Sequence, residues 1–206
     1  MRKPRSIGLA LLVGALAGCA SGGMAPTGTS PALELRQNMR ELWADHVVWT
    51  RGYIVAALAD DPSASSALDR LMRNQEELGA AIAPYYGQPA GAQLTTLLKD
   101  HIRIAGEVVT AAKANRSTEL ADADRRWHEN AEQIATFLSG ANPHWSRADL
   151  LSMLNTHLSL TTTEATLRLQ RNWGEDAANF DRIFDQAMAM ADALSSGVIA
   201  QHADRF

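Results

Sequence analysis

Three histidines, His46, His101 and His157, stand 55 and 56 residues apart at the centres of three related segments, LWADHVVW, LLKDHIRI and MLNTHLSL. Neutral imidazoles can ligate transition metals, relay protons or satisfy buried polar neighbours, depending on what reaches them. Around His101 the apolar residues Leu94, Leu97, Leu98, Ile104, Ala105, Val108 and Val109 fall at offsets −7, −4, −3, +3, +4, +7 and +8, one face of a helix. His46 repeats the pattern with Leu42, Trp43, Trp49, Tyr53 and Ile54, and His157 with Leu150, Met153, Leu154 and Leu160. Each imidazole is therefore expected on a buried stripe, where lacking a partner would cost roughly 1–3 kcal/mol.

Each segment runs on as helix-forming sequence, meets a polar break near residue 60, 115 or 171, and resumes as a second apolar-periodic stretch. Counting back across each break places Asn74 opposite His46, Asn130 opposite His101 and Asp185 opposite His157. Two readings follow. In one, the pairs are structural: they satisfy a buried polar layer and fix helix register. In the other, the three imidazoles converge and hold a transition metal (Zn, Cu, Ni or Fe), with Asp185 as a fourth ligand or behind a first one. Met153, Met188 and Met190 add thioethers suited to Cu(I), or simply fill core. Convergence needs the first helix of every hairpin to lie beside the others at one height.

Recognised catalytic signatures are missing. Trp43, Leu98 and Leu154 stand three before the histidines, so there is no Glu-x-x-His pair of the di-iron bundles. No His-Glu-x-x-His, G-x-S-x-G or glycine-rich phosphate loop occurs. Thr161, Thr162 and Thr163 beside Glu164 have no base placed by sequence to activate them. A noncatalytic domain is the expectation, with an enzyme of unrecognised type as the remaining alternative.

The elements that must position the histidines are all helical. Ser30-Pro31 opens the first, Asp60-Asp61-Pro62-Ser63 offers an aspartate cap for the second, Ser117 for the fourth, and Ser146 with Asp149 a capping box for the fifth. Tyr85-Tyr86-Gly87-Gln88-Pro89 and Gly140-Ala141-Asn142-Pro143 should separate the hairpins. Their aromatic neighbours Tyr85, Tyr86, His144 and Trp145 then share one end of the molecule, as a seal or a recognition patch. No stretch alternates with the period of a strand. The reading is an all-α domain over residues 31–206: about six helices as three hairpins in one up-and-down bundle, with three internal repeats.

Before this body, Arg2, Lys3 and Arg5 precede an apolar run from Ile7 to Ala17 that is shorter than the roughly 20 residues of a spanning helix. The run ends in Leu16-Ala17-Gly18-Cys19, and Cys19 is the chain's sole cysteine. This tetrapeptide resembles the lipobox of bacterial lipoproteins. The resemblance implies a signal peptide at residues 1–18, cleavage before Cys19, and a lipidated cysteine carrying diacylglyceryl and fatty acyl (palmitate-type) chains. Ala20, rather than an aspartate, implies sorting to the outer membrane, facing the periplasm. Residues 19–30 then form the lipidated cysteine and a flexible tether spanning roughly 18 Å. Losing three basic residues leaves 16 Lys and Arg against 23 Asp and Glu, a net charge of −7 on the mature chain. Such a surface repels nucleic acid, leaving the membrane (through Cys19) and an envelope protein as the expected partners.

The segment Trp43-Ala44-Asp45-His46-Val47-Val48-Trp49-Thr50-Arg51 gives the body a loose resemblance to bacterial envelope helical-bundle proteins of uncharacterised activity. The functional expectation is a lipid-anchored cell-envelope protein with a helical binding or structural domain. A periplasmic metal-binding module is the alternative.

Overall fold

A computed structural model describes residues 29–206, so Cys19, its signal and most of the tether lie outside the described residues. Six helices follow one another: α1 (Pro31–Leu58), α2 (Ala64–Tyr86), α3 (Gln88–Lys113), α4 (Ser117–Ala141), α5 (Arg147–Leu169) and α6 (Trp173–Gln201), then a short 3-10 turn at Ala203–Arg205. Among the described residues there is no strand, and no helix is long and apolar enough to cross a membrane.

Short connections make each helix antiparallel to the next, so α1, α3 and α5 run in one direction and α2, α4 and α6 in the other. Each helix packs on its neighbours in sequence, α6 closes onto α1, and α1, α3 and α5 also meet one another. The odd helices thus form an inner triangle braced by the even ones, a pseudo-threefold arrangement of three hairpins.

The three hairpin turns are built alike. Asp60, Asn115 and Arg171 each take a left-handed conformation, with φ of 56, 54 and 58°. The next amide in each case bonds back to the carbonyl five residues earlier: Asp61 to Ala56 (2.9 Å), Arg116 to Ala111 (3.0 Å) and Asn172 to Leu167 (2.9 Å). This closure satisfies carbonyls that the helix end leaves open. Each left-handed residue stands 14 positions after its histidine, so equal chain lengths bring the imidazoles to equal heights.

Other ends differ from their sequence signals. Ser30 and Ser146 cap as expected, accepting from the amides of Leu33 (3.3 Å) and Asp149 (3.4 Å). Asp61 instead accepts from the Ser63 amide (2.8 Å) in a local turn, leaving Pro62 before α2, and Ser117 lies inside α4 without capping it. A single residue, Gly87 (φ 88°, ψ 158°), joins α2 to α3.

That tight corner forces α2 and α3 together, and two glycines permit it. A Cβ on Gly79 would lie 2.6 Å from the Gly91 carbonyl oxygen, and one on Gly91 would lie 2.6 Å from that of Gly79. Both obstacles are backbone, so the helices would have to part. Gly91→Ala is expected to destabilise the protein by about 1–3 kcal/mol in urea unfolding. The same change at Gly140, whose Cβ would meet nothing within 4 Å, should be neutral or stabilising.

Candidate functional site

The inner triangle brings the three histidines together. His46, His101 and His157 are each 3% exposed, and their rings lie 5.6 Å apart for His46–His157 and 6.3 Å for His101–His157, between centroids. His157 is thus the member in contact with both others. One turn to one side the odd helices carry Trp43, Leu98 and Leu154, all buried. One turn to the other they carry Thr50, Ala105 and Thr161. The imidazoles form a polar layer within an apolar core.

An amide from the outer helix clamps each histidine segment. Asn74 Nδ2 donates to the Leu42 carbonyl (2.9 Å), Asn130 Nδ2 to Leu97 (3.0 Å) and Gln186 Nε2 to Met153 (3.0 Å). Each acceptor lies four residues before its histidine, so it also receives that histidine's own backbone N–H, and the clamp uses its second lone pair. Of the expected pairs, Asn130 bonds His101 itself, Asn74 bonds the Leu42 carbonyl before His46 rather than the ring, and the third hairpin differs. Asp185 is exposed and Gln186 takes its place. The separation there is 29 residues, as in the second hairpin, and a one-residue shift on a helix turns a side chain by about 100°.

The amides also define protonation. Because Asn130 spends its NH₂ on Leu97, its Oδ1 accepts from His101 Nδ1 (2.8 Å), leaving the His101 Nε2 lone pair to accept from Trp127 Nε1 (3.1 Å). His101 is fully paired. His46 is less so: its Nδ1 lies 3.3 Å from Gln75 Nε2, which also donates to Leu71 O (2.8 Å), while Asn74 Oδ1 lies 3.2 Å from that same nitrogen. Gln75 was not among the expected partners. In the third hairpin, His157 Nδ1 and Gln186 Oε1 are both buried without a partner.

Burial and mutual repulsion keep the layer neutral. Desolvation pushes His101 down to about 3 and His157 to about 4, and holds His46 well below the usual histidine range. Neighbouring imidazoles add to the shifts of His46 and His101. Among the described residues, no three His, Cys, Asp or Glu side chains stand in a metal-coordinating arrangement, and the Trp127 indole occupies the His101 nitrogen such an ion would need.

Further along the same helices lies an ionic cluster that sequence inspection missed. Arg51 on α1 reaches Glu164 on α5 and makes a two-pronged contact with Asp176 on α6 (3.1 and 2.7 Å); Arg168 also donates to Asp176 (3.0 Å). Both carboxylates are buried, and desolvation raises Glu164 to about 7 despite Arg51. Arg51 and Glu164 were each visible in the sequence, but 113 residues separate them and no periodicity links them.

Two end loops do share one end of the bundle. Asn142 Nδ2 donates to Tyr86 Oη (2.8 Å), whose hydroxyl donates to Gln201 (3.0 Å), and Trp145 packs on Tyr86 at 5.6 Å. Asn142 and Trp145 are buried, whereas His144 is exposed. Tyr86 and Trp145 therefore seal the bundle. No protein-family model, curated protein or solved structure matches this chain.

Two outcomes check this geometry. Asn130→Ala strips partners from both His101 and the Leu97 carbonyl and should cost about 2–4 kcal/mol, while Asp185→Ala should stay within about 0.5 kcal/mol, both by chemical unfolding. Histidines held neutral in the fold contribute stability that is complete above their unfolded value of about 6.5 and is lost as pH falls towards 4 and 3. Glu164 acts oppositely, its contribution fading as pH rises towards 7. Three groups against one leave unfolding taking up about two protons near pH 5, a loss of roughly 2–3 kcal/mol per pH unit at most. Unfolding free energy flat between pH 6.5 and 4.5 would contradict a neutral buried triad.

Proposed function

We propose that the chain is a lipid-anchored protein of the bacterial cell envelope whose helical body is a noncatalytic binding module, and that its ligand is a transition-metal ion held by His46, His101 and His157. The observation that carries the metal reading is the approach of three neutral imidazoles from three separate hairpins. Imidazoles sharing one ion at Zn–N distances of about 2.0–2.1 Å would have ring centroids about 5 Å apart. The His46–His157 spacing of 5.6 Å is about 0.6 Å above that, and the His101–His157 spacing of 6.3 Å about 1.3 Å above it, so the rings would have to draw together on the ion. Asn130 supports it too, because a proton fixed on His101 Nδ1 leaves the other nitrogen basic.

Of Zn, Cu, Ni and Fe, copper as Cu(I) suits the surroundings best. With Asp185 turned to solvent, no carboxylate has been placed beside the imidazoles, so an ion's charge would sit uncompensated in the core. Desolvation grows with the square of charge, and a single positive charge costs least. Binding requires the Trp127 indole to leave His101 Nε2.

A second reading keeps the anchor and makes the layer purely structural, its amides and imidazoles setting register. The completed pairing of His101 favours it. Titrating tag-free protein with Cu(I) under a competing chelator separates the two. The metal reading expects one ion per chain, loss of about 100-fold or more in affinity for His157→Ala, and tighter binding for Trp127→Phe, which frees the nitrogen. Absence of saturable binding leaves the structural reading.

Anchoring rests on the lipobox resemblance at Leu16-Ala17-Gly18-Cys19. Expressed in a bacterium fed labelled palmitate, the chain should acquire label and partition with outer membranes, and Cys19→Ser should do neither. An unlabelled wild-type chain would remove the anchor.

A further inference from the structure

Between the imidazole layer and the end seal the core does not close. A chamber of about 40 Å³ remains, floored by Trp43, Leu98 and Leu154 and roofed by Trp145. Every side chain that lines it is Leu, Ile, Val, Met or Trp, and the walls present almost no polar atom. The Trp145 nitrogen lies against Gly197, which is outside the lining, so that ring offers the chamber only carbon. Fixed groups at both ends keep the space open. Trp43, Leu98 and Leu154 each stand three residues before a histidine, and one turn on, the imidazoles meet at 5.6 and 6.3 Å and space the inner helices apart. At the other end Trp145 packs on Tyr86 at 5.6 Å and backs onto Gly197, where a Cβ would lie 2.5 Å from its Cδ1. The helices between these two spacers are held off one another.

We infer that this chamber is a binding site for a small apolar molecule without hydrogen-bonding groups, a dissolved gas or a light hydrocarbon of up to about three heavy atoms. Size and surface chemistry select the occupant together. A single water needs roughly 10–15 Å³ and 2–4 polar partners; the space is larger than that, and its walls supply no such set of partners. Any donor or acceptor carried in would be stranded, which rules against alcohols, amides and ions. An apolar guest leaves water favourably and gives the wall atoms the dispersion contacts that a void denies them. Benzene, which occupies an apolar cavity of about 150 Å³, is too large. Occupancy is independent of the metal reading, since no imidazole lines the chamber.

Xenon, which apolar cavities of this kind take up, is the probe for metal-free protein. Under rising xenon pressure the methyl resonances of Leu98 and Leu154 and the ring resonances of Trp43 should shift saturably, while those of the exposed Leu33 and Leu169 stay unmoved. Propane should displace the xenon, and benzene should not. Leu94→Phe and Leu150→Phe each fill the space from a wall and should weaken xenon binding by about tenfold or more in folded protein. Leu98→Ala enlarges the chamber and should let benzene compete. The inference is overturned by the absence of a saturable shift, by undiminished binding in a folded filling variant, by benzene competing as well as propane in the unaltered chain, or by a resident water that cross-relaxes with the Trp43 and Leu98 protons. Metal binding can fail in the same preparation without touching this result, and the reverse.

Discussion

Three uncharged imidazoles pressed together in the middle of an apolar core set the terms for the rest of the molecule. Nothing in such an interior rewards a polar ring by default, so every nitrogen needs an answer from a neighbouring helix. Asn130 on α4 supplies it for His101 and Gln75 on α2 approaches His46, while Asn74, Asn130 and Gln186 lock each inner helix one turn from its histidine. A slip of either helix in a hairpin would break both contacts at once. The polar layer therefore specifies register, which Leu and Ile packing alone leaves open.

Chain length provides the other half of that constraint. A histidine followed 14 residues later by a left-handed turn residue, three times over, measures each inner helix from the same end. Because the odd helices run in one direction, equal measures become equal heights. The courses on either side, Trp43, Leu98 and Leu154 on one and Thr50, Ala105 and Thr161 on the other, then stack as layers. Trp145 illustrates the limit of adjustment: its indole edge rests on Gly197, where a Cβ would lie 2.5 Å from Cδ1, so the ring has no freedom to move towards α6.

Much of this was legible in the residues themselves. The period of 55 and 56, the apolar offsets around each histidine and the breaks near 60, 115 and 171 gave six helices, three hairpins and buried imidazoles, because all are properties of single helices and their lengths. Asp185 was misplaced because a hairpin count carries an error of one residue, and one residue on a helix separates a clamp from an exposed surface. Gln75 was missed for the same reason, since it adjoins the expected Asn74 and faces His46 instead. The Arg51, Glu164 and Asp176 cluster joins three helices without any repeat to reveal it, and the spare volume beside Trp43 belongs to no residue at all.

The departures from threefold symmetry are the more informative part of the site. Repeat two is closed: Asn130 and Trp127 use both nitrogens of His101. Repeat three is open, with His157 Nδ1 and Gln186 Oε1 unpartnered, and repeat one shares a single Gln75 nitrogen among several acceptors. His157, the imidazole in contact with both others, is the one whose Nδ1 is left without a well-formed hydrogen bond, and an orphaned buried group costs about 1–3 kcal/mol. His46 and His157 stand at the closer spacing of 5.6 Å, while the outer nitrogen of His101 is taken by the Trp127 indole. The closed repeat thus fixes the layer, and the other two follow it through their clamps on the carbonyls of Leu42 and Met153.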